Sequence, residues 1–129
     1  VAGQTGRRVS GGLEFVIEEA GPELVRSRMP VAEGMLNPFG VVHAGALIWL
    51  ADVTATVLAL GGREAGGPGQ PGFPLAIDLH TTLLGNVGRG EIVAEARPVR
   101  RGRRVTVVRT RVSAGDKLLA EVTTSHIPS

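Results

Sequence analysis

At 129 residues the chain is long enough for one hydrophobic core and too short for two. Apolar residues make up 43% and aromatics only 3%, so that core must rest on Val, Leu, Ile and Ala around a single Trp49. The absence of cysteine excludes disulfides, thiolate metal sites and Cys nucleophiles, and a net charge of +2 does not by itself call for nucleic acid.

The first ten residues, VAGQTGRRVS, lack the apolar stretch of a signal peptide and read as a frayed start, with residues 1–11 a flexible segment of one domain. The longest apolar run, Ala46 to Leu60, falls short of the ~20 residues that span a bilayer and has Asp52 in its middle. A soluble, cytoplasmic protein is the expectation. Leu13 to Glu18 alternates at period two, with Leu13, Phe15 and Ile17 on one face, and predicts a strand. Gly21-Pro22 turns the chain, and Glu23 to Met29 is a candidate second extended segment. Glu33 to Gly40 is a loop, because Pro38 biases Asn37 away from helical geometry.

From Ala44 to Leu60 the chain is apolar nearly all the way round, which predicts a helix enclosed by other structure. Gly61-Gly62 ends it, and GGREAGGPGQPGFP follows as a long loop of the kind that is often functional. Four strands complete the chain: Leu75 to Leu83, Ile92 to Arg97, Val105 to Val112 and Leu118 to His126, expected to follow one another through short antiparallel connections. The element order predicts an α+β fold in which a curved antiparallel sheet wraps one helix.

The chemistry concentrates between Asn37 and Asp52, in NPFGVVHAGALIWLAD. A carboxylate among Ile, Trp, Leu and Ala costs several kcal/mol, of the order of ~3, if it is charged and unpaired. Gly45, Asp52 and Thr56 share one strip of the helix, at separations of seven and four residues. Asp52 is either a structural carboxylate bonded to backbone N–H groups or an Arg, or a catalytic group; burial alone leaves both open. His43 ahead of a helix is by itself a packing or hydrogen-bonding residue, and Asn37 before Pro38 a turn residue. His80 and His126 have no second ligand at metal spacing, so no metal site is predicted.

Taken together, N-x5-H-x-G-x6-D resembles the signature of hotdog-fold acyl-CoA thioesterases of the phenylacetate-pathway (PaaI-like) kind, in which a carboxylate follows the His by nine residues. Asn37, His43, Gly45 and Asp52 stand at those spacings, and the strand order from Leu13 to His126 is similar to that of the family. The resemblance implies hydrolysis of a small aromatic or medium acyl-CoA, with CoA as part of the substrate and no further cofactor. It implies Asp52 as base or, less favoured, nucleophile, the Ala44 N–H as oxyanion donor, and Asn37 as the group that orients water or thioester. It also implies a homodimer whose sites combine the carboxylate of one subunit with the Asn–His loop of the other, often paired into a homotetramer. Two positions depart from the family: Ala44 replaces its first Gly after His, and Ala76 replaces a Ser that helps hold water in some relatives.

Trp49 and the Gly/Pro loop are expected to shape the pocket. Seven arginines lie between Arg97 and Arg111 with no acid among them. Most read as a solvated, aggregation-guarding hairpin, with Arg101, Arg103 and Arg104 at the turn the candidate contacts for the phosphates of CoA. The alternative to an enzyme is a hotdog domain that binds acyl-CoA or an aromatic effector without hydrolysing it. A nucleic-acid binder lacks the aromatic platform, and a dehydratase lacks a His–Asp pair at suitable spacing.

Overall fold

The computed structural model describes residues 5–61 and 72–128. Gly62 and most of the Gly/Pro loop, with the first four residues, lie outside the described residues. Strands β1 (Val16–Ala20) and β2 (Val25–Pro30) are followed by a single 3-10 turn (Glu33–Met35) and helix α1 (Ala44–Leu60). Strands β3 (Pro74–Leu83), β4 (Glu91–Arg101), β5 (Thr106–Ala114) and β6 (Lys117–Pro128) complete the chain. All six described strands form one antiparallel sheet in the order β1-β2-β4-β5-β6-β3, and α1 packs against one face of it.

Alternation decides which side chains meet the helix. On β4, Ile92, Ala94 and Ala96 are buried; on β6, Ala120, Val122, Thr124 and His126 are buried, while Glu121 and Thr123 between the latter face outward. The alanines on the sheet leave room for Leu47, Leu50 and Leu58 of the helix, all buried. Burial of each leucine contributes about 1.5–3 kcal/mol. The outer face carries ion pairs instead: Arg26 bonds Glu19 and Glu95 at 2.7 and 3.0 Å, and Arg28 pairs with Glu18 and Glu91. Such exposed pairs add little stability and keep this face in water.

The helix has the bounds the apolar run predicts, and it ends where Gly61 takes a left-handed conformation (φ 65°) and donates its N–H to Leu58 O. Arg101 adds a second donor to the same carbonyl (3.2 Å) and one to Pro22 O (2.5 Å), placing a cation at the negative end of the helix dipole.

Three expectations are corrected. First, β3 does not pair with β4: the chain crosses the end of the sheet through residues 84–90, and β3 joins β6 as an outer strand. Leu84 and Gly85 both donate to Leu119 O as they leave β3, which anchors this crossing. Second, the first strand starts at Val16, is exposed along its whole length and bulges between Ile17 and Glu19, so only Phe15 of the expected inward face packs inward. Third, α1 is not enclosed on every side. Gly45 is exposed and Trp49, Asp52 and Thr56 are half-buried, because nothing among the described residues covers that strip. Among the described residues, no helix is long and apolar enough to cross a membrane.

Candidate active site along the central helix

The loop that delivers the chain into α1 is held from several directions. Asn37 Oδ1 accepts from the N–H groups of Phe39 (2.9 Å) and Val41 (3.2 Å), so its carbonyl oxygen is committed to the turn. Only the Nδ2 hydrogens remain for a ligand. His43 N–H donates to Met35 O, and Asn86, arriving on the crossing after β3, donates from Nδ2 to Val42 O at 2.9 Å. Gly88 passes so close to Gly40 that a Cβ there would lie 2.2 Å from the Gly40 carbonyl oxygen. These contacts fix the start of the helix, and Asn86 in particular was not legible beforehand.

His43 occupies the cap position, with its side chain exposed and not bonded to the helix. Its carbonyl takes the N–H groups of Ala46 and Leu47. The N–H groups of Ala44 and Gly45 have no acceptor among the described residues, which leaves two donors at the positive end of the helix dipole. Gly45 is exposed and Ala44 half-buried, so a ligand oxygen can reach this end. The replacement of Gly by Ala at 44 therefore leaves the helical backbone donor in place.

Beside the helix start lies a cavity of about 510 Å³, lined by Leu13, Met35, His43, Ala46 and Trp49 among others. Trp49 forms its wall by meeting Phe15 edge-on, with ring centroids 4.8 Å apart and planes at 76°. A second cavity of about 480 Å³ continues along Leu13, Phe15, Pro30 and Met35. Both fall in the size range of small-molecule sites.

Asp52 does not line either cavity. It lies two turns on, half-buried, and its carboxylate has no hydrogen bond or ion pair among the described residues. Neither structural role weighed for it, backbone anchoring or pairing with Arg, is present among the described residues. Thr56 shares the strip, but its hydroxyl donates to Asp52 O at 2.9 Å and so serves the helix itself.

The arginine cluster divides into three. Arg97, Arg109 and Arg111 project from the outer face of the sheet, in alternation with the buried Ala96, Val108 and Thr110. Arg101 caps the helix, as described, through Nη2. Arg103 and Arg104, both exposed, line a 190 Å³ cavity with Ala59, Pro74, Thr106 and His126, and a 460 Å³ cavity with Arg100 and Val105. Among the described residues no three His, Asp or Glu side chains converge as a metal site.

His126 belongs to this site by position, and the sequence reading gave it no role. It is 1% exposed, its Nε2 lies 2.8 Å from Thr124 Oγ1, and its Nδ1 is buried without a partner among the described residues. Burial pushes its imidazole below the ordinary value of 6.5, and the charge of Asp52 pulls it back up. A signal was available: Ala120 and Val122 set the inward phase of the last strand, and the same phase sends Thr124 and His126 inward.

Comparison with known proteins agrees with this architecture. The family model of the thioesterase superfamily matches residues 39–121. A provisionally named esterase of Haemophilus influenzae is 30% identical over 95 residues, which cover 74% of this chain and 65% of its own. A similarly named protein of Deinococcus radiodurans is 30% identical over 106 residues, 81% of this chain and 66% of its own. The chain thus spans slightly less than two thirds of the length of the curated relatives it matches. Among solved structures, a conserved protein of Pseudomonas aeruginosa superposes with a TM-score of 0.80 at 28% identity, covering 91% of this chain and 90% of that one. A thioesterase of Haemophilus influenzae also gives 0.80, at 24% identity over 91% of this chain and 79% of its own, and shares the fold. One long helix against a six-stranded antiparallel sheet, with a family match over well over half of its length, places this chain in the hotdog-fold thioesterase superfamily.

Proposed function

We propose that the protein hydrolyses the thioester of a small aromatic or medium-chain acyl-CoA, within the phenylacetate-pathway-like branch of its superfamily. The observation that carries this reading is a pair of groups on one side of α1 that are unengaged among the described residues: the N–H donors at Ala44 and Gly45, and the carboxylate of Asp52. A thioester has a good leaving group and needs an oriented water, a base and a donor for the developing oxyanion. Asp52 takes the proton from the attacking water. The Ala44 N–H, with the dipole behind it, receives the oxyanion, and the free Nδ2 hydrogens of Asn37 hold the carbonyl or the water.

Helix geometry argues that these groups act from two subunits. Gly45 and Asp52 are seven residues apart, which is about 10 Å along the axis at 1.5 Å per residue. A single thioester carbon needs both within roughly 3 Å of its reacting atoms. The base of one protomer therefore serves the helix start of its partner. Strand β3 supplies the surface for such a homodimer: it is a ten-residue outer strand with Leu75, Ile77 and Leu79 exposed at 48%, 56% and 40%. A long apolar edge of this kind invites pairing with a second copy. The other edge, β1, is short, bulged and charged.

In this arrangement the acyl group enters the cavity at Trp49 and Met35, and Arg103 and Arg104 meet the phosphates of CoA. Replacing both arginines with Ala is expected to raise KM for acyl-CoA about tenfold or more and to leave KM for a CoA-free thioester of the same acyl group within twofold. Steady-state kinetics on the two substrates decide the point, and equal effects on both exclude phosphate recognition.

A further inference from the structure

The segment that crosses from β3 to β4 is tied at both ends and grips the helix entrance in between. Leu84 and Gly85 give their N–H groups to Leu119 O on β6, and Lys117 Nζ, where β6 begins, donates to Asn86 O at 2.7 Å. At the far end Gly90 O accepts from Val31 N–H at 2.8 Å, just past β2. Between these ties, residues 86 and 87 hold both backbone groups of the buried Val42. Val42 N–H donates to Val87 O at 2.9 Å, and Asn86 Nδ2 donates to Val42 O at 2.9 Å. The Asn86 amide cannot turn over without losing both of its bonds, because its Oδ1 accepts from Val87 N–H at 2.8 Å.

These bonds bear on His43, which stands between Val42 and the helix. The peptide plane that enters His43 is held at its oxygen by Asn86 and at its nitrogen by Met35 O, 2.9 Å from His43 N. The plane that leaves it carries the Ala44 N–H, and its oxygen accepts from Ala46 and Leu47. Held on both sides, His43 keeps φ −59° and ψ 140°, and the direction of the Ala44 N–H follows from that. The other holds on the two planes are backbone bonds; Asn86 supplies the one that depends on a side chain. We propose that Asn86 is the positioning residue for the oxyanion donor: by holding Val42 O it aims the Ala44 N–H at the thioester oxygen before substrate arrives. A donor so fixed needs no reorganisation as charge develops, which is where its catalytic value lies. This inference rests on the reading of Ala44 as that donor.

The test compares two inert ligands on the intact chain by calorimetry. The ketone analogue of hexanoyl-CoA, with a methylene in place of sulfur, keeps the carbonyl oxygen; S-hexyl-CoA has a methylene in place of the carbonyl. Wild type is expected to bind the ketone about three- to tenfold more tightly, the worth of one hydrogen bond. Asn86→Asp keeps the bond from Val87 N–H and turns the donor into an acceptor. Its preference for the ketone is expected to vanish while S-hexyl-CoA binds within twofold of wild type, and kcat on hexanoyl-CoA is expected to fall about tenfold or more with KM within twofold. Should Asn86→Asp not fold, Asn86→Ala, uncharged and equally without the donor, is read by the same ratio. A preference retained in the variant, equal weakening of both ligands, a wild type with no preference, or two variants that do not fold overturns the proposal. A preference lost in the variant, when wild type releases no thiol from acyl-CoA, leaves the positioning role standing and removes the hydrolytic reading instead.

Discussion

Replacing Asp52 with Asn or Ala is expected to lower the kcat of thioester hydrolysis by about two decades or more while leaving the fold and the oligomer intact. The size follows from the role, since a positioned general base contributes typically ~10²–10⁴ in rate. The selectivity follows from the environment. The carboxylate is half-buried and makes no hydrogen bond or ion pair among the described residues, so its removal leaves no orphaned partner on the helix. Stability is therefore expected to change by no more than about 0.5 kcal/mol, in line with surface substitutions that break no contact. Denaturant unfolding beside steady-state kinetics separates the two effects. A loss of activity matched by a loss of folded protein would instead mark Asp52 as structural.

The second large effect is expected at the β3 edge. Ile77→Lys with Leu79→Lys places like charges on both copies of the proposed strand pair, at positions exposed at 56% and 40% in the single chain. The monomer bears these substitutions at little cost, while the pairing does not. Sedimentation is expected to show a monomer, and kcat/KM to fall about a hundredfold or more because no protomer can bring its own Asp52 to its own helix start. A fully active monomer contradicts the shared site outright.

The helix was legible to the residue because its signal is local: an uninterrupted apolar run closed by a glycine in the left-handed conformation. The four later strands were legible from alternation for the same reason, to within a few residues at each end. Strand order was not, since the pairing of β3 with β6 joins residues such as Leu83 and Ala120 that no local pattern connects. Nor was the open strip. Periodicity tells that Asp52 lies among apolar neighbours, but not whether its own chain or a second copy covers it. The motif marks the ends of the candidate site, Asn37 and Asp52, and is silent on the residues that hold this segment from elsewhere. Asn86 reaches Val42 across 44 positions, and Arg101 reaches Leu58 across 43. Arg101, expected at the phosphates of CoA, also serves the helix C-terminus, whose negative potential suits a guanidinium.

The proposed reaction is turnover of acyl-CoA thioesters at Asp52. Free-thiol detection of CoA release, from a panel of aromatic, medium and short acyl-CoAs, reports it when the wild-type protein and Asp52→Asn are assayed side by side. Multiple-turnover release by the wild type on at least one aromatic or medium acyl-CoA, lost in the variant, is the expected result. A folded protein that binds acyl-CoA and releases no thiol from any of them contradicts this reading and leaves a binding domain in its place.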